Sequence, residues 1–284
     1  MFAAVSVYGS NPEMKFAICN EVFQGWKIDA VLEHCARLGY DGLEIAPFTL
    51  AKMAGDITAA QRREIRDSAA RHGVALCGLH WLLAKTEGLC LNHPDPAVRA
   101  RTAAYFCELV DCCADLGGKT LVLGSPQQRN VPPGVAAEAA WDYAAQTLAP
   151  AVRRAGERGA IICLEPLAPA ETNFINTAAE AIRFAQQFDS PAMKIVLDVK
   201  AMCAEREPIP RIIAQSWPHF AHFHANDKNL KGPGFGEVDF HPIAAALKQT
   251  GYSGFVSVEV FRFEEGAETI ARRSLEYLRA VFGG

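Results

Sequence analysis

The segment AIICLEP, residues 160–166, decides how the chain reads. Its apolar residues Ile161–Leu164 place bulk on both faces of an extended strand, which suits a strand covered on both sides. The run stops at Glu165 and Pro166, and a helix-type stretch follows at 177–188. Working outward, the same texture recurs at 15–19, 42–47, 74–79, 120–123, 194–199, 220–224 and 254–261, which makes eight β-rich runs. Stretches of helical character separate them at about 28–38, 58–72, 96–116, 135–158, 177–188, 208–216 and 240–250, and a last one covers 266–282. Asp56-Ile57-Thr58, Asn92 to Asp95 and Asn176-Thr177 offer short polar side chains to the free N–H groups of a helix start. Leu38-Gly39, His72-Gly73 and Arg158-Gly159 supply glycine stops.

Eight strand–helix units in sequence predict a parallel sheet sheathed by helices. From Met14 onward each unit averages about 34 residues, the size expected of a single-domain α/β protein folded as a (β/α)8 TIM barrel. An open doubly wound sheet is the alternative, and the absence of a glycine fingerprint after the first strand weighs against it. The expected organisation is a short N-terminal extension, 1–13, followed by one barrel catalytic domain, 14–284.

Composition narrows the function. Half of the 284 residues are hydrophobic and 21% are charged, which excludes disordered, collagen-like and disulfide-miniprotein classes. A formal net charge of -4 counts against gripping nucleic acid through its phosphates. The nine cysteines are odd in number and lack C-x-x-C spacing, so they read as small buried hydrophobes in a reducing compartment. No Lys or Arg precedes Lys15, and no segment approaches the ~20 apolar residues of a membrane span. These features predict a cytoplasmic protein with neither membrane nor nucleic acid as partner.

Barrel active sites gather at the C-terminal ends of the strands. There the fifth run ends in Glu165, the sixth in Asp198, the seventh in His224 and the eighth in Glu259, each about one unit from the next. A buried ionised carboxylate is costly unless paired or bound to metal, and three crowded together repel. One divalent cation resolves both problems. Two Glu, one Asp and one His suit Mn²⁺, Mg²⁺, Co²⁺ or Zn²⁺, and the absence of a thiolate points to an open, catalytic site. For any one of the four, a solvent-facing strand end is the blander reading; four on successive strands favour a site. His222, which shares a face with His224, reads as a hydrogen-bonded core histidine.

Leu164-Glu165-Pro166, Leu197-Asp198, His224-Ala225-Asn226-Asp227 and Ser257-Val258-Glu259 carry a resemblance. From Met14 onward the chain resembles the xylose-isomerase-like barrel superfamily, in particular its sugar isomerases and epimerases of the D-tagatose 3-epimerase type. The resemblance implies one metal ion, Mn²⁺ first among the candidates, held by Glu165, Asp198, His224 and Glu259. It also implies that Glu165 and Glu259 move protons. The reaction would be isomerisation or epimerisation of a small sugar, sugar phosphate or polyol-ketone. The metal would polarise the carbonyl, a carboxylate would take the proton on the adjacent carbon, and the cation would stabilise the enediolate. Glu171, six residues beyond Glu165, matches a substrate-binding Glu of the epimerase group. The chain departs from that group at Ala201, where a His is expected, and at Leu230, where an Arg is expected. Its sugar specificity therefore does not carry over.

Further substrate contacts are expected from His80, Trp81, Asn173, Arg129, Glu44, Asp227 and Lys228. Lys228 or Arg129 would compensate for the two missing side chains. Core packing, a turn or a surface position is the competing reading for each. The stretch 232–236 reads either as a lid carrying Phe235 or as a plain turn. Three other functions compete. A metal-dependent lyase or dehydratase would share the enolising step. An apurinic endonuclease would need metal ligands that Ala201 and the strand end Leu123-Gly124-Ser125 do not provide. A non-catalytic sugar-binding barrel would need no metal set. Barrels of this kind also pair into homo-oligomers through helices and nearby loops.

Overall fold

The computed structural model describes residues 14–283; the expected extension 1–13 lies outside them. Eight parallel strands close into a barrel in sequence order, with β1 returning to β8. They are β1 (Lys15–Cys19), β2 (Gly42–Ile45), β3 (Ala75–Leu79), β4 (Thr120–Leu123), β5 (Ile161–Leu164), β6 (Met193–Asp198), β7 (Phe220–Ala225) and β8 (Phe255–Val258). The helices are α1 (Ile28–Leu38), α2 (Ala59–His72), α3 (Pro96–Leu116), α4 (Ala137–Arg158), α5 (Ala178–Gln186), α6 (Val199–Met202), α7 (Ile209–Ser216), α8 (His241–Thr250) and α9 (Ala267–Phe282).

The expected helix signals act where they were read. The Thr58 hydroxyl accepts from the Gln61 N–H while the Gln61 side chain returns to the Thr58 N–H, a reciprocal cap on α2. Thr177 and Glu180 do the same for α5. Asp95 accepts from the Ala97 N–H with Pro96 opening α3. Gly39, Gly73 and Gly159 stop α1, α2 and α4 in the left-handed region that an L side chain rarely adopts.

Among the described residues α6 is the helix that the sequence does not announce. It is one turn long and begins directly after Asp198, whose carboxylate Oδ1 accepts the Ala201 N–H at 2.7 Å. The strand passes into a helix with no intervening loop because its last side chain supplies the cap.

Apolar residues fill the shell between barrel and helices as one continuous core. Inside the barrel a separate cluster, Val122, Cys163 and Val196, packs under β4, β5 and β6. The nine cysteines are free thiols, six of them buried, as expected. Among the described residues no helix is long and apolar enough to cross a membrane.

Candidate metal centre and substrate pocket

Glu165, Asp198, His224 and Glu259 each offer a ligand atom, and all four atoms lie within 4.8 Å of one another. Glu165 follows β5. Its carboxylate lies over the end of β4, where a Cβ on Gly124 would come within 2.2 Å of Oε2. Glycine is needed there for close approach rather than for a turn. Asp198 is the last residue of β6. Its Oδ1 caps α6, and its Oδ2 accepts from Asn226 Nδ2. Burial pushes the Asp198 carboxyl up to about 7; Lys200 pulls it down, while Glu165 and Glu259 push it further up.

His224 divides its ring between two tasks. Nε2 lies 3.3 Å from both carboxylate oxygens of Glu44. Nδ1 faces the cluster, 3.1 Å from Glu259 Oε2 and 3.7 Å from Glu165 Oε1. A carboxylate that fixes the far nitrogen of a histidine orients the near one as a ligand. Burial pulls the His224 pKa down, but Glu259 and Glu44 together outweigh it and raise it well above the usual range.

Glu259 Oε1 accepts from Trp81 Nε1 at 2.9 Å, and His80 Nδ1 lies 3.5 Å away. Burial pushes the Glu259 carboxyl up, yet His224 and His80 hold it well below the usual carboxylate range. Two fully buried atoms of the cluster, His224 Nδ1 and Glu259 Oε2, lie 3.1 Å apart yet make no well-formed hydrogen bond, to each other or to any other group. Native structures rarely leave such groups unsatisfied. Mixed O/N donors, crowded carboxylates and two orphaned atoms aimed at one point fit a divalent cation.

A model of the xylose isomerase-like TIM barrel family matches residues 32–281. The chain belongs to that family. It is 29% identical over 242 residues to D-psicose 3-epimerase of Ruminiclostridium cellulolyticum, covering 84% of this chain and 80% of that one. It is 25% identical over 275 residues to 3-dehydro-D-guloside 4-epimerase of Escherichia coli, covering 94% and 99%. A crystal structure of D-psicose 3-epimerase obtained in the presence of D-fructose superposes with a TM-score of 0.83 at 25% identity, covering 95% of this chain and 100% of that one.

In this member of the family two residues of the cluster, Glu165 and Glu259, border a cavity of about 320 Å³. Trp81, Glu165, Glu171, Lys200, Glu259 and Phe261 are among its walls. Trp81 holds φ at +52°, a conformation that costs a bulky residue roughly 1–3 kcal/mol and persists only where the surroundings enforce it. The strain aims the indole N–H at Glu259. Glu171 lines the cavity and pairs with Lys200 Nζ at 2.7 Å.

Five expected substrate contacts have other work. Arg129 is fully buried, and its guanidinium donates to the backbone carbonyls of Glu165 at 2.6 Å, Ile175 at 3.3 Å and Leu123 at 3.4 Å. Asn173 Oδ1 accepts the Val131 N–H at 2.8 Å. Asp227 accepts the N–H groups of Val238 and Asn229, holding its own loop. Glu44 is fully buried below the cluster, where it pairs with His222 at 2.8 Å as well as with His224. His80 is fully buried between Glu21, at 2.9 Å, and Glu259, so it bears on the carboxylate rather than on the cavity. In each case the polar side chain has a partner within the protein. Lys228 lines a neighbouring depression with Glu171, Lys200 and Phe261.

His222 is the hydrogen-bonded core histidine the sequence suggested. The 232–236 stretch is a packed turn: Asn229 Nδ2 donates to the Phe235 carbonyl, and a Cβ on Gly236 would lie 2.1 Å from Asp227 Oδ1.

Sequence reading missed Lys200, a cation that acts on Asp198, Glu165 and Glu259. It is buried, and Nζ sits 4.1 Å from the Phe261 ring centroid. The available signal was its place two residues after Asp198, where the expected loop proved to be a helical turn that presents it inward.

Proposed function

We propose that this chain is a divalent-metal-dependent epimerase of keto-sugars, with Glu165, Asp198, His224 and Glu259 as the metal ligands and Mn²⁺ as the first candidate ion. The observation that carries the reading is the four-atom cluster, with His224 Nδ1 and Glu259 Oε2 buried without a well-formed hydrogen bond and with Glu165 and Glu259 on the cavity wall. The activities of the two relatives add direction, because a ketose 3-epimerase and a 3-dehydro-glycoside 4-epimerase both invert a carbon beside a ketone. When bound, the ion would polarise that ketone and stabilise the enediolate.

The remaining work falls to the chain. Glu259 is held ionised by His224 and His80 and fixed by the Trp81 N–H, so it can accept a proton from the carbon beside the carbonyl. Glu165 presents its carboxylate from β5, across the barrel from Glu259, and can return a proton to the opposite face of the same carbon. Removal on one face and return on the other is epimerisation; return to the neighbouring carbon would be isomerisation. Lys200, held by Glu171, offers an ammonium to sugar oxygens where the epimerase-type His and Arg are absent. Trp81 and Phe261 wall the cavity with apolar surface and limit water beside the reacting carbon.

The test is exchange of the carbon-bound hydrogen of keto-sugars with D₂O, followed by NMR with and without Mn²⁺. Metal-dependent exchange with formation of the epimer is expected. Expulsion of a substituent in place of the epimer would establish the lyase alternative, and metal-independent exchange would sink the ligand assignment.

A further inference from the structure

Beside the catalytic cavity lies a larger chamber of about 920 Å³, formed by the loops after β1, β2, β3 and β8. Phe23, Trp26, Phe48, Trp81, Phe261 and Phe263 line it. Trp81 and Phe261 line both spaces, as does Lys85, so the two adjoin across these side chains. The rings form two walls. Phe23 and Trp26 stand 5.5 Å apart on one side, while Phe48, Trp81 and Phe261 follow one another at 6.1 Å on the other. Trp26 is 38% exposed at the mouth, one of two large hydrophobic side chains left so open among the described residues.

A cavity near the lower end of the small-molecule range, about 300 Å³, already serves one sugar ring. The chamber approaches the upper end of that range, about 1,000 Å³. A second sugar would need free hydrogen-bonding side chains, and most of the polar groups here are committed. Asn20 donates to Thr49 Oγ1 and accepts the Ala46 N–H, both at 2.8 Å. Thr49 donates to the Ala46 carbonyl. Glu21 faces His80, and Lys85 Nζ lies over the Phe48 ring at 4.1 Å. Apart from Gln24 and Lys27, which are exposed, what remains is aromatic surface whose neighbouring rings are tilted 32–58° to one another, which suits a planar apolar ring.

From this geometry we infer that the substrate is a keto-glycoside with an aromatic aglycone, its sugar in the catalytic cavity and its aromatic ring in the chamber. The inference rests on the epimerase reading and narrows its substrate class. Trp26 and Phe48 determine specificity by contact with the aglycone, and Trp81 is the shared wall past which the glycosidic bond runs.

The test uses the full chain loaded with Mn²⁺ and three probes: D-fructose, methyl 3-keto-glucoside and phenyl 3-keto-glucoside. Exchange with D₂O yields kcat/KM for each. The phenyl compound is expected to exceed the methyl compound by about tenfold or more through KM, the ratio one well-packed aromatic ring brings. Trp26→Ala and Phe48→Ala are expected to collapse that ratio toward one, and Trp26→Phe to keep most of it. Equal values for phenyl and methyl compounds in the wild type, or a ratio that survives both alanine variants, would overturn the inference and leave the epimerase reading standing. Absence of exchange with all three probes would overturn that reading instead. The chamber is then decided by phenyl β-D-glucopyranoside, which has no ketone. Saturation transfer to its ring protons that weakens in Trp26→Ala supports the chamber; no transfer rejects it.

Discussion

Two sets of carboxylates and histidines lie within reach of each other inside the barrel, and they behave differently. In the lower set, Glu44 and His222 pair at 2.8 Å, both fully shielded from solvent. Each answers the other. In the upper set, one inward-facing position further along β7, His224 meets Glu165, Asp198 and Glu259; two buried atoms there lack a well-formed hydrogen bond, and both Glu residues reach the cavity. The residue types are the same. A count of partners separates a structural pair from a reactive centre, because buried polar groups left unmatched signal a missing ion or ligand. Glu44 belongs to both sets, since its carboxylate also meets His224 Nε2.

The sharpest way to break this comparison is Glu259→Gln. It keeps the shape but removes the proton acceptor and a ligand. Exchange of substrate hydrogen with D₂O is expected to fall by about 10³-fold or more, while circular dichroism stays native. Exchange at the wild-type rate would remove Glu259 from the chemistry. The lower set should respond the opposite way. His222→Phe removes one of the two imidazoles that face Glu44, at a cost of about 1–3 kcal/mol in unfolding free energy by denaturant titration. Glu44→Gln should instead weaken ion binding about 10–100-fold by calorimetry, through the orientation of His224. If the two substitutions had the same profile, the division into two sets would fail.

A pH titration sharpens it further. The Asp198 carboxyl sits at about 7, above its ordinary range, chiefly because it is buried. The folded, ion-free protein therefore binds this proton more tightly than the unfolded chain does. The resulting stability is present below the ordinary carboxylate pKa and lost as pH rises toward 7. An ion needs the carboxylate, so the proton competes with it. Affinity should fall as pH drops below 7, by about tenfold per pH unit. Calorimetric affinities at several pH values in the wild type and in Asp198→Asn measure it, and a flat wild-type profile would count against Asp198 as a ligand. The smallest expected effect is that of Asn173→Ala, about 1 kcal/mol of stability with KM unchanged, because Asn173 holds the Val131 N–H rather than substrate.

Much of this was legible in the residues alone. Strand and helix periods, capping residues and glycine stops specify eight units, and a polar residue closing four successive strands specifies the cluster. What the residues do not carry is the stagger between strands, which closure of a barrel imposes. Glu44 and Glu165 both end apolar runs and both face inward, yet one meets a histidine below the cavity and the other borders it. Arg129 and Asp227 were unreadable for a related reason. Their partners are backbone groups, Glu165 O and Val238 N among them, which no side-chain pattern announces. Lys200 was hidden because its orientation follows from α6, a turn created by the side chain of Asp198.

The buried guanidinium of Arg129 has a bearing on how such a barrel can be altered. It ties the ends of β4 and β5 to the loop at Ile175, while Asn92, from the segment after β3, donates to the Arg129 carbonyl at 2.7 Å. Three loops that border the substrate are thus riveted together and form one cassette. Grafting any single one from a relative would tear out the rivet, so exchange of substrate range by loop transplantation has to move all three at once.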